Sequence, residues 1–382
     1  MRRSQDRILT THVGSFVRPP GLRELAAAAE NEPASRAAYE NALQAAISEA
    51  VRKQVETGID IVNDGEFGKS SWSAYILKRI SGFEIRPSQL RPLVWLGRDR
   101  ERFADFIAKE MPRVLTGAPT EACVAPIAYK DSASVAANIG MLKNALAAVK
   151  AEEGFLTSVA PASTAYDGVN EYYPSENDYV YAIANALREE YQAIFRSGLL
   201  VQVDDAVLAN MYDHLLQSGP QRYRDWAELR VEALNHALEG IPEDRIRYHV
   251  CFGSWHVPHL ADAPLEAIIG LILKVRAGAY SIEAANPRHE HEWRVWESAR
   301  LPEGKILIPG VVTHHTVTVE HPRLVADRIV RFARLVGRDN VIAGTDCGFA
   351  QAEHIQRVPE PVMWEKLKSL VEGAEIASRE LW

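Results

Sequence analysis

His249 and Cys251 close an apolar run that reads as a buried strand, and Cys347 follows a second such run. Side chains two apart on a strand point to one face, so this imidazole and this thiol converge. A distant second thiol brought to the same point completes a soft-ligand set suited to zinc. The competing reading is plain packing, because unpaired cysteine is among the most buried residue types.

Elements able to position such a set can be read from the pattern. Candidate strands are Ile8–Val13, Ile59–Asn63, Ala122–Ile127, Phe155–Ala160, Leu199–Val203, Arg247–Cys251, Ala279–Ile282, Ile306–Val311 and Val341–Ala343. Amphipathic stretches separate them: Ala38–Val55, stopped by Gly58, then Leu142–Val149, Tyr179–Phe195, Asp225–Leu238, Leu265–Val275 and Leu324–Val336. Apolar strands alternating with helices predict an α/β fold with a parallel sheet covered by helices. Nine strands are one too many for a (β/α)8 TIM barrel, and Ala122–Ile127 is taken as the extra piece. The expectation is a single catalytic domain over residues 1–382 with long βα loops and an insertion near 84–128. The Arg- and Pro-rich Ser88–Glu101 belongs to that insertion, and Ala165–Asn177 is expected as a loop. A two-domain doubly wound fold is the alternative.

Bulk properties narrow the function classes. The net charge is −8, with 47% apolar and 25% charged residues among 382. Nucleic acid and anionic membrane are therefore poor partners. No uncharged apolar run reaches membrane-spanning length, and Met1–Arg7 has no apolar segment behind it. Three distant cysteines are no disulfide framework, which fits the reducing cytoplasm. Small molecules are the expected partners, with a homo-oligomer possible.

In a barrel, chemistry collects where strands end at the C-terminal face. Those ends carry His12 to Ser15, Asp64 to Glu66, Asp204 and Asp205, His249 and Cys251, Glu283, Thr313 to His315, and Asp346 and Cys347. Glu283 follows on the next strand after His249 and offers a fourth ligand. One imidazole, one carboxylate and two thiolates bring three negative charges to a divalent ion. Such a site suits an electron-rich bound thiolate better than an activated water. Hydrolytic zinc more often sits on neutral histidines.

Seven blocks carry a family resemblance: TTHVGS (Thr10–Ser15), NDGEF (Asn63–Phe67), VQVDD (Val201–Asp205), HVC (His249–Cys251), IEAANPRHEHEW (Ile282–Trp293), IPGV (Ile308–Val311) and AGTDCG (Ala343–Gly348). In that order the chain resembles the catalytic C-terminal barrel of cobalamin-independent methionine synthase. It looks still more like the short single-barrel relatives, in a fold shared with uroporphyrinogen decarboxylase. The resemblance implies zinc on His249, Cys251, Glu283 and Cys347. It places an amino-acid substrate near Ser15, Glu66 and Asp204, and a proton-donating catalytic histidine at His315. Two carboxylates suit an ammonium group. The implied reaction is methyl transfer from an alkyl donor to a zinc-bound, homocysteine-like thiolate. The alternative on the same zinc is an epoxide:thiol transferase of the coenzyme M type, or a C–S lyase. A non-enzymatic protein with structural zinc is the contrasting class.

The departures fall on the donor side. Thr313 stands where the family has an Asp two residues before the catalytic His, with His314 between them. Asp167, beside Tyr166, falls where an aromatic helps stack a pterin, and Ala122-Cys123 replaces an Arg-Cys pair. Methyl-folate use is thus left open. Tyr166 and Arg18 are candidates for substrate contact, Arg18 for an anionic group. Cys123 and His12 are expected to pack, and His256 and His259 to form surface or pocket wall. Trp72, Tyr75, Tyr172 and Tyr173 read as pocket lining or core.

Overall fold

A computed structural model describes residues 1–382, apart from the side chains of Arg113 and Val114. Along the chain the strands are β1 (Leu9–Thr10), β2 (Ile61–Val62), β3 (Phe83–Arg91), β4 (Ala118–Cys123), β5 (Glu153–Val159), β6 (Gly168–Asn170), β7 (Leu200–Asp205), β8 (Ile246–Val250), β9 (Ala279–Glu283), β10 (Ile306–Val312) and β11 (Ile342–Thr345). Eight of them form one parallel sheet in the order β1-β11-β10-β9-β8-β7-β5-β2, and a parallel bridge between Thr11 and Ile61 closes it into a barrel. Strands buried on both faces must be apolar throughout, which is why these runs are legible. Leu9, Ile61, Phe155, Leu200, Ile306 and Ile342 pack as a separate cluster that fills the barrel floor. A larger cluster joins the strands to the outer helices.

The remaining strands make a second sheet, β3-β4-β6, in which β3 and β4 run antiparallel and β4 and β6 parallel. Two expectations change here. The extra strand is Ala118–Cys123 rather than Ala122–Ile127, because Pro126 brings no N–H to a ladder and the chain turns at Val124. The front of Ser88–Glu101, the segment expected within the insertion, is the end of β3, whose backbone is paired by β4. Inside the expected loop Ala165–Asn177, Gly168–Asn170 adds β6 to the same sheet.

The helix expected at Leu142–Val149 instead spans Ser132–Leu146, started by Asp131, which accepts from the Ser134 N–H at 3.0 Å. A C-terminal helix, Glu360–Leu381, packs beside Pro322–Val336 and was not anticipated. No helix among the described residues is long and apolar enough to cross a membrane.

Candidate metal centre and substrate cavity

Alternation along β8 sends Arg247, His249 and Cys251 into the barrel, while Tyr248 turns outward to Asp205. Cys347 arrives from just beyond β11. The ligand atoms of His249, Cys251 and Cys347 all lie within 4.8 Å of one another, and all three residues are buried. The two sulfurs stand 3.4 Å apart. That is too far for a disulfide and near the separation of about 3.7 Å that zinc–sulfur bonds of about 2.3 Å impose around a tetrahedral ion.

Neither ring nitrogen of His249 meets a partner other than the neighbouring Cys347 sulfur, although the residue is 2% exposed. Burying a polar group unpaired costs about 1–3 kcal/mol, so a native fold does this where something else satisfies the group. The sulfurs are prepared as well. The hydrogen bond from Cys251 holds Cys347 well below the usual thiol range against the effect of burial, and His249 and Ser254 add to it. Cys251 is correspondingly pushed up, so Cys347 is the thiolate of the pair. These donors fit a soft divalent metal.

Glu283 lies at the end of β9, buried beside this set but outside it. Its carboxylate accepts from the Phe252 N–H at 2.9 Å and faces the Asn286 amide at 3.4 Å. Asp346, next to Cys347, accepts from the N–H groups of Ala284 and Ala285 at 2.8 and 2.9 Å, and so ties the chain after Glu283 to the Cys347 loop. This anchoring role was not read from the sequence, although Asp346 was visible in AGTDCG.

The cluster opens onto a cavity of about 420 Å³, whose inner end also holds Ser15, Glu66 and Asp204. Asp204 is the register partner of His249, which fixes their proximity. Burial pushes the Asp204 carboxyl up to about 7, with the Glu66 charge adding to the effect. Glu66 has φ of +58° and is buried, so its backbone is held in a strained, left-handed conformation. Two contacts secure it. The Glu66 N–H donates to Asp64, and Arg18 donates to the Glu66 and Lys69 carbonyls. Gly14 is required here: a Cβ on it would come within 2.7 Å of Glu66 Oε1, and its own φ is +139°. Ser15 donates to the Ala350 carbonyl.

Arg18 therefore braces the Glu66 loop rather than the cavity wall. Tyr166 also stands one layer back, with its hydroxyl accepting from the Val94 N–H at 3.1 Å and its ring 5.4 Å from Trp95. His315 opens on a different cavity, lined by His256, His259 and Arg288, on the far side of the loop that runs from Gly253 to Asp262. Burial, with His259 and His256 nearby, holds His315 down at about 3, so its imidazole is neutral. His314 is fully buried with both nitrogens unpartnered. Thr313 takes a local role, accepting from the His315 N–H at 3.2 Å.

Of the other residues, His12 is a core histidine paired with Gln54 at 2.7 Å, and Cys123 is fully buried. Trp72 packs on the two site cysteines. Tyr75 is a core residue bonded to Glu190 at 2.6 Å, and Tyr172 is exposed. One feature escaped the sequence reading. Glu292 and Asp262 both bond His289 at 2.8 Å, and Asp262 also bonds His259 at 2.8 Å, a carboxylate–imidazole chain bordering the second cavity.

Comparison with known proteins places this geometry. The methionine synthase of Thermococcus kodakarensis is 24% identical over 379 residues, covering 97% of this chain and 94% of the relative. That of Saccharolobus islandicus is 23% identical over 375 residues, covering 97% and 95%. A B12-independent methionine synthase from Shewanella, solved with selenomethionine, superposes with a TM-score of 0.72 at 19% identity, covering 98% of this chain and 99% of that one. A family profile described as the catalytic domain of cobalamin-independent synthase matches residues 8–89 and 113–375. The chain belongs to the cobalamin-independent synthase catalytic-domain family.

Proposed function

We propose that this protein methylates the thiol of a small amino acid, homocysteine being the simplest, with zinc at His249, Cys251 and Cys347. Relatives named methionine synthase over nearly the full length support the acceptor and the reaction. The observation that carries the reading is a buried His-Cys-Cys cluster facing two buried carboxylates across one cavity. Glu283 is proposed as the fourth ligand on its family position, exchanging its bonds to Phe252 and Asn286. Zinc, when bound, lowers the pKa of a coordinated thiol and so supplies a thiolate at neutral pH.

The protein's own groups do the rest. Glu66 and Asp204 accept the hydrogens of the substrate ammonium, which turns the sulfur toward Cys251 and Cys347. Ser15 and Gly348 form the wall beside that group. Trp72 and Trp255 keep water from the methyl carbon. That carbon leaves its donor atom for the sulfur, the bonding pair stays on the donor atom, and one proton neutralises it. His315 is the proposed relay of that proton, giving up its ring N–H as its other nitrogen takes a proton from solvent, so that the imidazole stays neutral. Its place beyond the Gly253–Asp262 loop makes movement of this loop part of the proposal.

The epoxide reading is not favoured. Glu66 and Asp204 at the inner end repel an anionic thiol such as coenzyme M. Metal analysis joined to a homocysteine methylation assay tests the proposal. About one zinc per chain and methionine formation are expected, and a metal-free protein of full activity contradicts it.

A further inference from the structure

The carboxylate–imidazole chain beside the second cavity carries fixed charges. His259 Nδ1 lies 2.8 Å from Asp262 Oδ2, and its Nε2 lies 2.8 Å from the Trp255 carbonyl oxygen. Carbonyl and carboxylate oxygens only accept, so both ring nitrogens of His259 carry hydrogen and the ring is an imidazolium. The same holds for His289, whose nitrogens face Glu292 and Asp262 at 2.8 Å each. Asp262 Oδ2 accepts from both rings and is ionised. Two carboxylates balance two imidazoliums, and the chain ends in a cation at His259. The charges facing His259 are Asp262 and Glu283, both of which favour that cation.

This cation is held in place at a cost. His259 is 5% exposed and has φ of +57°, a backbone conformation that is strained outside glycine and asparagine. Asp262 is tied by His289, which lies outside the loop, so His259 sits at the anchored end of Gly253–Asp262.

His259 meets His315 edge to face, at 87° with ring centroids 5.0 Å apart. The other titratable groups around His315 are His314 at 4.1 Å, His256 at 6.1 Å, Arg357 and Asp262. Burial holds His314 and His256 neutral. Asp262 is the one anion among these groups, and it is already shared by His259 and His289. His315 therefore borders a permanent positive charge. Such a charge disfavours a second proton on the His315 ring and stabilises the ring as its N–H leaves.

We propose that His259 is a positioning residue for proton delivery: a permanent cation that keeps the His315 ring neutral and strengthens the N–H that His315 gives up. This rests on the methyl-transfer reading above. In that step one His315 nitrogen passes its hydrogen to the donor atom while the other takes one from solvent, and His259 keeps both of its own.

Nitrogen-15 NMR of histidine-labelled, zinc-loaded protein at about pH 6 tests the charges without substrate. Two protonated nitrogens are expected on the His259 ring and one bare nitrogen on His315, each assigned by substitution. A bare nitrogen on His259 overturns the inference, as does a doubly protonated His315. The consequence is tested by kcat at saturating thiol and donor between about pH 5 and pH 9 in His259→Asn, since asparagine accepts a positive φ and brings no charge. Removing a unit charge about 5 Å away, at an effective dielectric of about 20, raises the proton affinity of His315 about 100-fold. The variant should therefore be about tenfold slower at the alkaline end and recover toward pH 5, where His315 now takes up a proton; the wild type should show no such rise. A loss equal at every pH marks a merely structural role and overturns the inference, as does a wild-type profile in the variant. The expected NMR charges in a wild type that forms no methionine defeat the methyl-transfer reading, and the delivery role with it, but not the charge assignment.

Discussion

The inner and outer halves of the cavity are built on different terms. The inner half hangs from barrel strand ends, where register partners such as Asp204 and His249 are locked by parallel ladders. Its residues fall within the family match. The outer half is roofed by a separate three-stranded sheet and by a segment outside that match. A barrel can therefore hold one thiol-activating centre constant while a detachable roof changes what approaches it. Mutations of the inner half should alter thiol chemistry, and those of the outer half should alter the donor alone.

The largest effect is expected at the metal cluster. Cys347→Ala should lower methylation at least about 100-fold and release the metal, since loss of even an outer partner of a ligand costs about 10–100-fold. Metal content per chain checks this alongside the rate. Next, His315→Gln should reduce kcat by about 100-fold, the lower end of general-acid contributions, with thiol KM unchanged. A kcat near wild type would place the proton source elsewhere and leave the Gly253–Asp262 loop without a catalytic role.

Asp204→Asn should raise KM for homocysteine by about 10–100-fold while donor KM stays put, as expected for losing a charge-assisted bond of about 1.5–3 kcal/mol. Asp204 also predicts a pH dependence. Burial holds it at about 7, and only its ionised form attracts an ammonium group. Thiol KM should therefore fall as pH rises through 7, and the Asn variant should lose that step.

The smallest effect on activity is expected at His289, on the wall of neither half. Burial alone would lower this imidazole, but its bonds to Asp262 and Glu292 outweigh burial and hold it at about 10. The folded protein thus binds this proton more tightly than the unfolded chain, whose histidine titrates near 6.5. The stabilisation is complete below about 6.5 and is lost as pH rises toward 10. Melting temperature should decline across that window in the wild type. In His289→Gln it should start lower and stay flat, the two converging near pH 10.

The inner half was also the half legible in the sequence. Eight buried strands announced themselves as apolar runs, and period-two alternation put His249 and Cys251 on one face before any geometry was known. The outer half was not legible for physical reasons. β3 is polar and mostly exposed, burying no face that would mark its period. β6 is three residues long and follows directly on a helix. Trp95 reads as an isolated aromatic until the fold brings it against Trp255 and Tyr166. The placement of His315 beyond a loop depends on the path of residues 253–262, which no local pattern encodes. Asp346 and the His289–Asp262–His259 chain are joined only by tertiary contacts between distant segments.

The inner half is expected to bind a substrate sulfur at the metal. X-ray absorption at the zinc edge, with and without homocysteine, measures this directly. Two sulfur neighbours per zinc should become three when homocysteine is added. A count that stays at two under saturating homocysteine would contradict the account.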